Sequence, residues 1–320
     1  MKLNRMYSFL KTDIDEIEKE LEVAIESESE LLQEASLHLL QAGGKRIRPV
    51  FVLLSAKFGQ YDINSVKNVA VALELMHMAS LVHDDVIDDA ELRRGKPTIK
   101  AQWDNRIAMY TGDYIFARAL EYMTHIKVPE AHQILSHTLV ELCKGEIAQI
   151  EDKYRFDQNL RNYLLRIKRK TALLIAVSCQ LGAISSGAPE EIHRRLYRFG
   201  YNVGMSFQIT DDILDLTASE EELGKPAGSD LWQGNITLPI LYAMEIPELK
   251  SKIEKVTEYT TAEEMKEIIS SILATDAIER SHDLSRMYLD RALKDLDHLP
   301  YNRVKKTLKN IANFIGKRKY

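Results

Sequence analysis

Cysteine is almost missing from this chain, with only Cys143 and Cys179 among 320 residues. Neither has a Cys or His neighbour at metal-ligand spacing, which argues against a disulfide scaffold and a thiolate zinc site, and fits a reducing compartment. An excess of positive charge is missing too. Lys and Arg total 43 against 48 Asp and Glu, and the net charge of -5 gives no case for binding nucleic acid or an anionic membrane surface. The N-terminus has no apolar signal core: Met1 to Tyr7 runs into Asp13, Asp15, Glu16 and Glu18. The expected location is therefore cytoplasmic. Thr171 to Pro189 is uncharged and near membrane-spanning length, but Ser178, Gln180, Gly182, Ser185, Ser186 and Gly187 dilute it, so it reads as a buried core helix. Strand-type alternation is nearly absent, which argues against a βαβ protein.

Helical periodicity is present almost everywhere. Apolar residues recur at Ile14, Ile17, Leu21 and Ile25, at Leu160, Tyr163, Leu164 and Ile167, and at Val304, Leu308 and Ile311. Gly43-Gly44, Gly59, Pro97, Pro129, Gly187-Ala188-Pro189 and Pro226 to Gly228 separate these segments. No shift in composition divides the chain. The expectation is an all-α protein with residues 1–320 forming a single domain.

Two acidic clusters interrupt the apolar pattern. His83-Asp84-Asp85-Val86-Ile87-Asp88 continues a helix that begins near Val69, which puts Asp84 and Asp88 one turn apart on one face. Thr210-Asp211-Asp212-Ile213-Leu214-Asp215 repeats the form, with Gln208 almost one turn before Asp211. Like charges at this spacing destabilise an isolated helix by a few tenths of a kcal/mol, so each cluster calls for a cation. A few carboxylates without a full protein cage suit Mg²⁺, which keeps waters and bridges phosphate oxygens. One such cluster alone would read as a solvated acidic face. Two of identical form weaken that reading.

Basic residues stand where an anion would need them. Gly43-Gly44-Lys45-Arg46-Ile47-Arg48-Pro49 places three cations at a glycine turn, and Arg93-Arg94-Gly95-Lys96-Pro97 follows the first acidic cluster in a loop. Lys170-Thr171 precedes the apolar Ala172–Leu181 helix, and Gly224-Lys225-Pro226-Ala227-Gly228 follows the second cluster. By themselves these lysines read equally as surface residues, and His77 as a hydrogen-bonded core histidine.

Taken together and in order, Gly-Gly-Lys-Arg-Ile-Arg-Pro, the two Asp-Asp-x-x-Asp motifs, Arg-Arg-Gly after the first and Phe207-Gln208 before the second resemble the trans-polyprenyl diphosphate synthases, from about Ala35 to Pro239. The resemblance implies an isoprenoid-synthase-type helical bundle around a deep central cavity, with the two motifs facing each other across its mouth. It implies catalytic roles for Asp84, Asp85, Asp88, Asp211, Asp212, Asp215 and Lys170, with Asp84, Asp88 and Asp211 ligating two or three Mg²⁺ ions. Isopentenyl diphosphate falls to Lys45, Arg48, His77 and Arg94, and the allylic diphosphate to Arg93, Lys170, Thr171, Gln208 and Lys225. One position departs from the pattern: Asn235 stands where short-product members commonly carry a second lysine.

Ala79 and Ser80 lie about one helical turn, on the order of 6 Å, before the first motif. In the family, small residues here leave the product tunnel open, which implies a product longer than geranylgeranyl. Helix packing would demand small residues as well. Met6–Leu10 and Ile315–Arg318 extend the resemblance to the catalytic component of bacterial heptaprenyl diphosphate synthases, with hexaprenyl synthases next. That implies a small non-catalytic partner subunit in a heterodimer, a homodimer being the alternative, a product destined for the menaquinone side chain, and transient membrane proximity at product release.

Three rivals bracket this reading. A terpene cyclase would not need Lys45, Arg48 and Arg94 for a second diphosphate. A non-catalytic helical subunit would be expected to have lost motif carboxylates. A di-iron bundle needs two inward Glu-x-x-His pairs, and only Glu74–His77 lies in a clearly apolar helix.

Overall fold

The computed structural model describes residues 3–219 and 226–316. The helices include α1 (Lys11–Ala24), α2 (Glu30–Gln41), α3 (Ile47–Ala56), α4 (Ile63–Ile87), α5 (Asn105–Thr124), α6 (Pro129–Asp152), α7 (Leu160–Ile167), α8 (Leu173–Ser185), α9 (Glu190–Thr217), α10 (Leu238–Ala243), α11 (Ala262–Leu273), α12 (Ala277–Asp297) and α13 (Arg303–Gly316). Among the described residues the only strands are β1 (Leu92–Arg93) and β2 (Lys96–Pro97), paired antiparallel with Arg93 opposite Lys96. The all-α expectation holds.

The described residues fall into two compact units, one drawn from Met1–Leu135, Val177–Tyr197 and Leu299–Leu308, the other from Ser136–Ala176, Arg198–His298 and Lys309–Tyr320.

In the first unit, α4 packs along α5 and against α3. Val50 to Leu54 of α3 have no exposed surface, nor have Val69 to Leu73, Leu75 and Met76 of α4. Each buried Val, Leu, Phe or Met side chain among them contributes roughly 1.5–3 kcal/mol of transfer free energy when it leaves water. Among the described helices α4 alone is long and apolar enough to cross a membrane, and most of its apolar window is buried in this unit. It starts under the Asp62 cap, whose carboxylate accepts from the Asn64 and Ser65 N–H groups. It ends where Asp89 turns left-handed, with φ of 52°. Gly112 of α5 makes room for the His83 ring of α4, since a Cβ there would sit 2.4 Å from His83 Nε2. The uncharged 171–189 stretch largely becomes α8, and its burial bears out the core-helix reading.

In the second unit Tyr163, Ile167, Met205, Ile209, Ile213, Leu238 and Tyr288 form one apolar cluster around α9. Between α7 and α8 the chain makes a π-helical turn over Lys168–Ala172. Such turns are rare and frequently mark functional positions. Gly204 of α9 lets Ala172 approach closely, since a Cβ there would lie 2.5 Å from the Ala172 Cα.

Candidate active site

The first acidic motif occupies the C-terminal turn of α4. Asp85 is buried, and both Nε and Nη2 of Arg93 reach its Oδ1, at 2.8 and 2.7 Å. Burial raises the Asp85 carboxyl above its ordinary range, and Arg93 opposes that shift. Asp84 and Asp88 are half-buried. Arg93 comes from β1, so the loop expected after the motif is in fact a tight hairpin. Arg94 and Gly95 have φ of 54° and 75°, as a two-residue type I′ turn requires. Lys96 Nζ donates to the Gln41 carbonyl at 2.9 Å, and a ring nitrogen of His38 lies 2.7 Å from the Pro97 carbonyl oxygen, pinning the hairpin to the end of α2.

The glycine turn before α3 meets this hairpin. A Cβ on Gly44 would come within 2.8 Å of Arg94 Nη1, so the missing side chain makes room for a guanidinium. The three cations of this turn have different fates. Arg46, left-handed with φ of 44°, is buried and spent on the protein: it pairs with Glu18 at 2.6 Å and Glu74 at 3.3 Å, and donates to the Leu40 carbonyl at 3.1 Å. The expectation that all three could serve an anion is corrected for Arg46. Lys45 is exposed and Arg48 half-buried. Burial pushes Arg48 down to about 10, with Arg94 adding to the shift and Glu74 opposing it. His77, one turn beyond Glu74, is driven well below its ordinary range by burial and by Arg48, Arg94, Arg93 and Arg46, so its imidazole is neutral at pH 7. Arg48, His77 and Arg94 therefore do belong to one electropositive group. With Glu74 committed to Arg46, the di-iron reading loses its one core pair.

Ala79 is fully buried, while Ser80 is half-buried and returns its hydroxyl to the His77 carbonyl at 2.8 Å.

The second motif lies near the end of α9. Asp212 is buried, accepting from the Tyr163 hydroxyl at 2.7 Å and from Gln208 Nε2 at 2.8 Å. Burial pushes its carboxyl up to about 8; the Asp230 and Asp211 charges add to this and the two hydrogen bonds oppose it. Asp215 is buried as well and receives the Asp230 N–H at 3.2 Å. Asp211 is half-buried. The Gln208 amide orients a further member, since Thr171 Oγ1 donates to its Oε1 at 2.6 Å. The π turn sets Lys170 beside this chain, with its ammonium on Glu146 Oε2 at 3.1 Å and Gln149 Oε1 at 2.9 Å. Asn235 is half-buried, its N–H held by the Asp230 carbonyl at 2.8 Å. Lys225, Lys317 and Arg318 lie outside the described residues.

Sequence reading missed Glu74 and Tyr163. In the sequence Glu74 stands only as half of a Glu-x-x-His pair and Tyr163 only as an apolar stripe member, and no spacing signals where a hydroxyl points. The motif donors are all carboxylate oxygens, a set that fits a hard divalent cation rather than zinc. Among the described residues no three Asp, Glu, His or Cys side chains converge into a ready-made cage.

The sequence matches the polyprenyl synthetase family over residues 29–273. It is 66% identical over 320 residues to heptaprenyl diphosphate synthase component 2 of Bacillus subtilis (strain 168), covering all of this chain and 92% of that one. The fold is similar to a heptaprenyl diphosphate synthase from Staphylococcus aureus, with a TM-score of 0.93, 44% identity and 99% of each chain covered. It is also similar to a polyprenyl synthase from Caulobacter crescentus CB15 complexed with calcium and isoprenyl diphosphate, with a TM-score of 0.94, 30% identity and coverage of 100% of this chain and 98% of that one. The two complete aspartate motifs and the likeness along the full length lead to one conclusion: the chain belongs to the polyprenyl synthetase family and is a prenyltransferase.

Proposed function

We propose that residues 1–320 form the catalytic component of a two-component heptaprenyl diphosphate synthase, adding isopentenyl diphosphate units to a farnesyl-type allylic primer to make the long all-trans diphosphate of a menaquinone side chain. The observation that carries this reading is the full-length likeness to a heptaprenyl synthase component 2, with both aspartate motifs intact. A small non-catalytic subunit is the partner that fits that name. The reaction takes place in the cytoplasm, with brief membrane proximity as the product leaves.

Asp84, Asp88 and Asp211 would hold Mg²⁺, supported by Asp85 and Asp215. The bound cation supplies charge neutralisation for the departing diphosphate. Arg93, Lys170, Thr171, Gln208 and Lys225 hold the allylic diphosphate, stabilising the charge that develops as the allylic carbon–oxygen bond breaks and the diphosphate leaves with its electron pair. Lys45, Arg48 and Arg94, with neutral His77 as a hydrogen-bonding neighbour, hold isopentenyl diphosphate so that its double bond attacks the allylic carbon. The resulting cation loses a proton to the released diphosphate, and no protein base is needed.

The test is the product ladder from farnesyl diphosphate, radiolabelled isopentenyl diphosphate and Mg²⁺, with this chain alone and with the small subunit. A heptaprenyl product with both chains, lost in EDTA, is expected. A long product from this chain alone would make it a self-sufficient synthase, and a hexaprenyl product would reassign its length. Label absent from the product would favour a cyclase, and an inert mixture a non-catalytic subunit.

A further inference from the structure

Among the groups around the isopentenyl diphosphate residues, Glu74 has no role in the mechanism above. It lies on α4 one turn before His77, is 4% exposed, and uses a single oxygen, Oε1, to hold Arg46 at 3.3 Å. Its other oxygen, Oε2, is buried and has no hydrogen-bond partner. The same is true of Arg48 Nε on α3. Two buried polar atoms of opposite charge are thus left unsatisfied in one neighbourhood, an arrangement folded proteins rarely keep without use. Arg46, Arg48 and Arg94 all feel the Glu74 charge.

We infer that Glu74 is a positioning residue for the isopentenyl diphosphate group, holding Arg46 and steadying Arg48 and Arg94 so that their guanidinium groups stay together before the anion arrives. This rests on the function proposed above. Four arginines repel one another, and a trianionic diphosphate is bound best when its donors are already gathered. Glu74 acts on Arg46, Arg48 and Arg94, while Glu18 pairs with Arg46 and Asp85 with Arg93; three carboxylates against four guanidinium groups tie the set together yet leave it net positive, so an anion still completes it. Arg46 acts as the link. Its left-handed backbone and its contacts with Glu18, Glu74 and the Leu40 carbonyl fix the turn from which Lys45 and Arg48 extend on either side.

The inference has a sign that a simple charge argument reverses. If Glu74 merely repelled the diphosphate, Glu74→Gln would tighten isopentenyl diphosphate binding. If it positions the arginines, Glu74→Gln weakens that binding although a negative charge has been removed. The expected result, with the small subunit present, is a KM for isopentenyl diphosphate raised roughly tenfold, with the KM for farnesyl diphosphate unchanged and kcat within about threefold. Glu74→Asp, which keeps the charge on a shorter stem, is expected to recover part of the loss. Should Glu74 variants fail to fold, Glu18→Gln, which loosens Arg46 from its more exposed side, is expected to move the same KM by a smaller factor. An unchanged or lowered KM for isopentenyl diphosphate would overturn the inference, as would equal rises in both substrates' KM values. Wild-type enzyme assayed in parallel separates the two readings: its failure to turn over removes the proposed function, whereas normal wild-type turnover with an unaffected Glu74→Gln removes only the positioning role.

Discussion

The second aspartates of the two motifs, Asp85 and Asp212, have the same place in the same five-residue pattern and nearly the same burial, yet differ in what compensates them. Asp85 has a guanidinium; Asp212 has a phenol and a carboxamide, neutral donors that offset burial less completely. The consequence is a pH dependence that is greater at Asp212 than at Asp85. Its carboxyl is pushed up to about 8 in the fold, against an ordinary value of 3.8. Between those values the unfolded chain has lost the proton and the folded chain keeps it, so this group's stabilisation is complete below the lower value and lost as pH rises towards the upper one. In metal-free buffer, Asp212→Asn is therefore expected to gain stability relative to wild type as pH rises from 6 to 8, by something on the order of 1–2 kcal/mol. Denaturant melts at the two pH values would show it, and parallel shifts in both proteins would remove it.

At the scale of elements, the sequence pattern told where helices run but not what their side chains face. The stripe Leu160, Tyr163, Leu164 and Ile167 announces α7, and Tyr163 is indeed fully buried; its hydroxyl, however, serves Asp212 on α9. The π turn over Lys168–Ala172 was not legible either, because its register follows from close packing, such as that of Ala172 on Gly204, rather than from local preference. The hairpin that carries Arg93 and Arg94 was hidden for a different reason: Arg at the first left-handed position is an uncommon choice, and the usual signal there is Asn or Asp. The inward fate of Arg46 was hidden because Glu18 and Glu74 lie far from it in the chain. Tyr163 gives the element-scale prediction. Tyr163→Phe removes a donor from a buried carboxyl and leaves Gln208 as the remaining side-chain donor to Asp212, on which the Gln208–Thr171 link is anchored. A loss of about 1–3 kcal/mol in stability is expected. The KM for the allylic diphosphate should rise with the isopentenyl diphosphate KM unchanged, which separate titration of the two substrates would reveal.

For the whole molecule, an all-helical synthase was legible because its motifs are short, ordered and tied to helical spacing, whereas the setting of product length was legible only as two small residues before the first motif. The structure separates those two. Ala79 has no exposed surface, so an aromatic there must displace core atoms packed around α4; Ser80 is half-buried and its hydroxyl is already satisfied by the His77 carbonyl. Small size at Ala79 fits a demand of packing, and the proposal that small size serves the product then rests on Ser80. Ala79→Phe is expected to destabilise the protein by about 1–3 kcal/mol, as overpacked cores do. Ser80→Phe is expected to leave the melting temperature within a few degrees of wild type and to shift the product ladder towards shorter chains, since a ring projecting beside the first motif meets the growing chain early. Chromatography of dephosphorylated products beside a thermal melt decides it: a full-length ladder from a folded Ser80→Phe enzyme would place the length-setting contact elsewhere along the molecule.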